Sequence, residues 1–152
     1  MPHDSEVAAI LESETDITIE NWYSRVEKED ELITIRLTRE QRCAHLPEMF
    51  HDLVTRLRDP LPLGTRALAS DAAHDHGGLR RDQGYTAAMM VEESRMLQVS
   101  IFQTLQLHLK KTEPSALLLD IMAIADEVDS QLAQAMTSYI SEANRDARPM
   151  NP

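Results

Sequence analysis

Apolar residues recur along this chain at three- and four-residue steps, the period of an α-helix packed on one side, rather than in the alternating pattern of a half-buried strand. The first stripe, Val7, Ile10, Leu11, Ile17, Trp22 and Val26, predicts one helix that begins after Asp4 as N-cap, runs to about Lys28 and buries Trp22 as a core anchor. An acidic, partly apolar connection follows, Glu29-Asp30-Glu31-Leu32-Ile33. Thr38 and Gln41 then stand at capping-box spacing, which predicts a short helix to about Ala44. Pro47 interrupts it, and because proline is tolerated only in a helix's first turn, a second helix is expected from about Leu46 to Leu57 with Phe50, Leu53, Val54 and Leu57 inward.

Asp59-Pro60-Leu61-Pro62-Leu63-Gly64 ends that helix. From Thr65 the pattern predicts a helix carrying Ala67, Leu68, Ala72, Ala73 and Leu79, stopped by Gly84, with Thr86 as the next N-cap and Tyr85 placed to staple onto Met90. Met89, Met90, Met96, Leu97, Ile101, Leu105, His108 and Leu109 form the stripe of the following helix, which ends near Lys110 and Lys111, cations suited to a helix C-terminus. Pro114 opens the last helix, where Leu118, Ile121, Met122, Ala125, Val128, Leu132, Met136, Tyr139 and Ile140 continue a stripe for about seven turns. The expectation is an all-α chain: one bundle of about five to seven helices over residues 1–146, a long C-terminal helix, and a frayed tail at 147–152.

Composition narrows this further. At 152 residues with 42% apolar content the chain can bury one core, and with 4 Gly, a single Cys and 4% aromatics it does not read as a collagen, a disulfide scaffold or a many-turned β sandwich. Its net charge of -11 supplies no attraction for a phosphate backbone, so nucleic acid is not an expected partner. The N-terminus lacks the basic region and apolar stretch of a signal peptide, and no apolar run reaches the roughly 18 residues of a membrane helix; a cytoplasmic location is expected. Between Lys111 and Arg145 there is no basic residue, so the last helix should offer an acidic outer face.

Candidate chemistry is sparse. Cys43 has no His or Asp beside it in sequence and reads as structural. Glu48-x-x-His51 has the geometry of a di-iron carboxylate motif, but such sites need two of these and further carboxylates, while His74 and His76 point roughly 200° apart on a helix; no metal site and no cofactor are expected. All four glycines lie between Gly64 and Gly84, and Gly77 and Gly78 sit where a helix continues. Each is expected to cost about 1 kcal/mol relative to alanine, offset either by close approach of a neighbouring helix or by a cleft beside His74 and His76. No nucleophile elbow, Cys-His pair or phosphate cradle is present, so no catalytic residue is assigned. The eight methionines, at helical spacing, read as core filler before they read as an adaptable surface.

One string carries a resemblance. His74-Asp75-His76-Gly77-Gly78-Leu79-Arg80-Arg81-Asp82-Gln83-Gly84-Tyr85, leading to Glu92, Glu93 and Arg95-Met96-Leu97, resembles the signature of the RsbRD N-terminal domain family, the RsbT co-antagonist or stressosome-type sensory domain also found ahead of bacterial histidine kinase modules. Ile17, Trp22, Val26 and the Leu46-Pro47 step match its earlier helices. The resemblance singles out His76, Gly77, Arg80, Gln83, Gly84, Tyr85 and Glu93, and implies a non-haem, globin-like helical fold. Ser94 stands where that family usually has an aromatic, and Gln98 where an arginine is common.

What the resemblance implies is a non-catalytic signal-input domain that forms a homodimer and transmits its state through the last helix to a protein signalling partner or a downstream output domain. The exposed part of the penultimate helix's Met-Leu stripe is the expected interface, since two acidic last helices would repel. No output module follows residue 146 within the chain, so a sensory fragment or a stand-alone variant is expected. Two alternatives remain open: a histidine phosphotransfer protein with an exposed His76 as acceptor, although the usual His-x-Leu-Lys-Gly order is missing, and a ligand- or haem-binding globin relative with His108 inward.

Overall fold

The computed structural model describes residues 5–64 and 69–146, and among these it is helical with no strand. Eight helical segments follow one another: α1 (Glu6–Ser13), α2 (Thr15–Val26), α3 (Asp30–Ile33), α4 (Arg39–Cys43), α5 (Leu46–Arg58), α6 (Asp71–Asp82), α7 (Ala87–His108) and α8 (Pro114–Asp146). The expected all-α bundle with a long C-terminal helix is what the structure shows. Asp4, Ala67, Leu68 and the tail at 147–152 lie outside the described residues.

The single first helix is corrected to two. Ser13 Oγ donates to the Ile10 carbonyl at 3.2 Å and Thr15 Oγ1 to the Leu11 carbonyl at 2.7 Å, so two hydroxyls compete for the backbone acceptors around the break at Glu14. The N-cap is Ser5, whose Oγ accepts from the Ala8 amide at 3.1 Å. Ile17, expected inward, is exposed, while Trp22 is buried as anticipated. The connection after α2 folds into one helical turn, α3, which delivers Leu32 to the core.

Local signals elsewhere hold. Thr38 and Gln41 form the expected capping box on α4, and Pro47 lies in the first turn of α5. Thr86 caps α7, and Gly84, at φ 95°, makes the turn between α6 and α7 in a conformation that other residues rarely adopt. The helix expected from Thr65 begins later, at Asp71, with Ser70 as N-cap donating from Oγ to Asp52 at 2.6 Å.

In the bundle α7 lies against α1, α2 and α8, while α5 lies against α1, α2, α6 and α8. The closest pairing is α6 on α8. Val7, Leu11, Trp22, Val26, Leu53, Leu57, Ile101, Leu105 and Ile124 belong to one apolar core. On α8 Val128 and Tyr139 are buried as expected, but the rest of the inward face is corrected: Ile124, Glu127, Gln131, Ala135 and Ser138 are buried, whereas Leu118, Met122 and Ile140 stand exposed. That face mixes polar with apolar residues because it packs on ionisable groups of α5 and on the glycines of α6, and so a purely apolar stripe misplaces it.

Candidate functional site

The residues singled out by the sequence string meet in the interior at the α6–α7 turn. Gly84 reverses the chain after α6, which sets Arg80 on the last turn of α6 opposite Glu93 on the second turn of α7. Arg80 Nε donates to Glu93 Oε1 at 3.0 Å, and Nη2 lies 3.4 Å from Oε2. Its other donors reach the Gln83 side-chain oxygen at 2.7 Å and the Arg42 carbonyl at 2.6 Å, so the guanidinium, which has no exposed surface, is held on all sides. Tyr85 completes the node: its hydroxyl donates to Glu93 Oε2 at 2.6 Å and accepts from Arg42 Nη1, and the Arg80 guanidinium sits 4.6 Å over its ring.

Arg42 was not anticipated. It lies on α4, is 2% exposed, and spans from the Ile35 carbonyl at 2.6 Å to the Glu93 carboxylate at 3.8 Å. The signal that marks it is positional: it falls on the turn fixed by the Thr38 capping box, directly before buried Cys43. Two further aromatic groups fix the node's frame. Trp22 Nε1 donates to the Glu93 carbonyl at 3.0 Å, and the Tyr139 hydroxyl donates to the Tyr85 carbonyl at 2.7 Å, so α2 and α8 are both tied to it.

The electrostatics follow from burial. Burial pushes the Glu93 carboxyl above its ordinary range, while the Arg80 charge, hydrogen bonds from Tyr85 and Arg80, and the Arg42 charge oppose that rise. Each hydrogen-bond partner of the carboxylate is a donor, and a protonated carboxyl would set its hydrogen against one of them. Burial and the Glu93 charge raise the Tyr85 phenol, so its proton stays in place. His76 is buried, and desolvation, followed by the Arg80 charge and His45, lowers its imidazole well below the usual histidine value. Its ring meets that of His45 edge-on with centroids 5.7 Å apart.

Beside the node lies a cavity of about 30 Å³ lined by Trp22, His76, Glu93, Leu97, Gln131 and Ala135 among others. That is space for one or two waters. Of the two readings of the glycine pair, close approach of a neighbouring helix is the one the structure shows: a Cβ on Gly77 would stand 1.8 Å from the Ala135 carbonyl oxygen, and one on Gly78 3.1 Å from Ser138 Oγ. Gly77 is the reason α6 and α8 approach so closely.

Other assignments resolve as follows. His76 is not the exposed imidazole that phosphotransfer requires. His108, expected inward, is 40% exposed, donates from Nδ1 to the Thr104 carbonyl at 2.9 Å and lies 3.9 Å from Glu14, an arrangement that does not fit a haem ligand, and the cavity beside His76 does not fit a porphyrin. Glu48 and His51 are exposed, and among the described residues no three His, Cys, Asp or Glu side chains converge as a metal would need. Burial raises the Cys43 thiol, which keeps it protonated and inert, as its sequence context implies. No described helix is long and apolar enough to cross a membrane.

A second buried ionic cluster lies between α5 and α8, and nothing in the sequence string marks it. Arg56, 1% exposed, donates from Nη2 to Asp126 at 2.7 Å and faces Glu127 at 3.6 Å. Both carboxyl oxygens of Glu127 are buried without a hydrogen-bond partner. In comparisons with known proteins, no family model, no curated protein and no solved structure matches the chain.

Proposed function

We propose that this chain is a non-catalytic signal-input domain of a bacterial stress-response or histidine-kinase system, forming a homodimer and passing a change of state along α8 to a protein partner or output domain. The observation that carries this reading is the Arg80–Glu93–Tyr85–Arg42 node. Buried ion networks add little net stability over an apolar core, yet they permit only arrangements in which every donor finds its acceptor. Here that demand is placed on α4, α6 and α7 together, and the Tyr139 bond extends it to α8.

The rest of the molecule agrees with this reading. Arg80, Tyr85 and Glu93 of the node are residues by which the chain resembles the RsbRD type, and the node's side chains are enclosed and bonded to one another, Arg42 Nε being left without a partner, as in a structural relay rather than a reaction centre. At 33 residues, α8 spans roughly 50 Å, long enough to carry a tilt or shift at its middle to a distant end. Met96 and Leu97 of α7 are buried, so a homodimer interface on that helix would use its exposed Val91, Val99 and Leu107 instead of the Met-Leu stripe. A cytoplasmic location and no nucleic-acid partner belong to the same proposal; among the described residues no helix is long and apolar enough to cross a membrane, and the net charge of -11 does not attract a phosphate backbone.

Two measurements test it. Analytical ultracentrifugation at high micromolar concentration is expected to show a dimer, and a monomer there counts against the assembly. Hydrogen exchange of Glu93→Gln is expected to loosen amides along α8 as well as in the α6–α7 turn. Changes confined to that turn would defeat the transmission role.

A further inference from the structure

Glu127 is a fully buried acid on the inward face of α8, and neither of its carboxyl oxygens has a hydrogen-bond partner. Native proteins rarely leave a carboxylate so placed, because desolvation penalises its charge and an orphaned acceptor adds to the penalty. The charged groups acting on it are Arg56 and Asp52 from α5 and Asp126 from α8 itself; among the described residues α6 and α7 direct no charge at it. Among the described residues one cation therefore faces two acids, Asp126 and Glu127, with Asp52 as a third negative charge beside Glu127.

Arg56 divides its two terminal nitrogens unequally: Nη2 is at hydrogen-bond distance from Asp126, 2.7 Å, while Nη1 stops 3.6 Å short of Glu127. Asp126 is only partly buried, and its second oxygen accepts from the backbone amide of Gly64 at 3.3 Å. Gly64 ends the segment whose Pro60, Leu61 and Leu63 wall a cavity of about 130 Å³ against Leu119 and Ala123 of α8, with Arg56 also in its lining. Glu127, Arg56, Asp126 and Gly64 thus form a chain from the core to the surface.

We propose that Glu127 is a proton-operated latch: while its carboxyl is protonated, Arg56 holds Asp126 and through it Gly64, and when the carboxylate forms, Arg56 is drawn to Glu127 and the 60–64 segment is released from α8. The proton is exchanged with solvent. Ionisation places a second full negative charge next to Asp126 while drawing away the cation that pairs with it, so Asp126 turns toward water and gives up the Gly64 amide. Release opens the wall of the cavity, which Asp120 of α8 also lines. Burial, outweighing the Arg56 attraction and reinforced by Asp52 and Asp126, raises the Glu127 carboxyl to about 7, which puts the switch in the physiological range.

The test is the Gly64 amide in the intact protein, followed by ¹H–¹⁵N NMR from pH 5.5 to 8.5. In the wild type its hydrogen-bonded shift and exchange protection are expected to be lost with a midpoint near 7. Glu127→Gln, neutral and nearly isosteric, should hold the low-pH signature throughout, and Asp126→Asn should weaken it throughout, which ties the readout to the Asp126 contact. A Gly64 amide that does not titrate, or that titrates identically in Glu127→Gln, overturns the latch. So does a Glu127 side-chain carboxyl resonance in the wild type with a midpoint in the ordinary carboxylate range.

Discussion

Tyr139 reaches from the C-terminal third of α8 to the backbone carbonyl of Tyr85, 2.7 Å away, at the turn that orients Arg80 toward Glu93. Two tyrosines 54 positions apart thereby couple the longest helix to the buried ionic node. Tyr139→Phe keeps the ring and removes the donor, leaving a buried carbonyl without that partner. The expected loss is about 1–2 kcal/mol in urea unfolding, with faster amide exchange at Tyr85 and Thr86. An unchanged exchange rate there would mean that α8 does not hold the turn.

The two adjacent glycines of α6 predict opposite outcomes for one substitution. Gly77→Ala places a methyl 1.8 Å from the Ala135 carbonyl oxygen, a backbone atom that can yield only if α6 and α8 separate. A cost of roughly 1–3 kcal/mol is expected after the helix-propensity gain of about 1 kcal/mol is included. Gly78→Ala meets the Ser138 hydroxyl at 3.1 Å, which can rotate, and Glu142 Cγ at an ordinary contact distance of 3.7 Å, so that variant should be neutral or slightly stabilised. Thermal melts of the pair decide it, and equal Tm values would contradict the close approach of these helices.

Much of this fold was legible because its local signals are strong. The Thr38–Gln41 box, Pro47 in the first turn of α5, the Gly84 stop and the Thr86 cap each act within one turn of chain and leave little to tertiary context. What failed has two sources, one local and one in partners distant in sequence. The Ser13 and Thr15 hydroxyls break the first helix through local competition that an apolar count does not register. An apolar count runs the α8 stripe through Leu118, Met122 and Ile140, yet the buried positions include Glu127, Gln131 and Ser138, which pack on Arg56, Met49 and Gly78.

The candidate site divides the same way. Arg80, Gln83, Tyr85 and Glu93 lie within 13 positions on two helices joined by one turn, so a string in the sequence places them together. Arg42 is 38 positions from Arg80, and Tyr139 is 54 from Tyr85; no spacing rule links such pairs, and only packing reveals them.

His76 predicts an acid-side dependence. Its folded-state value lies well below the usual histidine value, first because burial disfavours the imidazolium and then because of Arg80, so the unfolded chain binds the proton more tightly. The stability this group contributes is present above the usual value of 6.5 and is lost as pH falls toward the depressed one. The His76 ring resonances should stay those of neutral imidazole from pH 8 down through 6. His76→Gln, which cannot charge, should lose less stability than the wild type between pH 7 and 5. A His76 titration centred near 6.5 would show the ring to be in contact with water.

Glu127 predicts a dependence of the opposite sign on the neutral side. A carboxyl raised from 4.5 to about 7 binds its proton more tightly folded than unfolded, so its contribution is fully present below pH 4.5 and is lost as pH rises through 7. The window is worth about 3 kcal/mol at most, and relaxation around Arg56 reduces it. Glu127→Gln fixes the neutral state, so at pH 8 it should be more stable than the wild type by about 1–3 kcal/mol, while at pH 5 the two should unfold at nearly the same urea concentration. Arg56→Met removes the cation between Asp126 and Glu127 and should cost about 3–5 kcal/mol at pH 8, with a smaller loss at pH 5, where Glu127 no longer needs it. Combining Arg56→Met with Glu127→Gln should recover part of that loss at pH 8 and little at pH 5, because only the ionised acid leaves a buried charge behind. Equal recovery at both pH values would show that the pair contributes through shape alone.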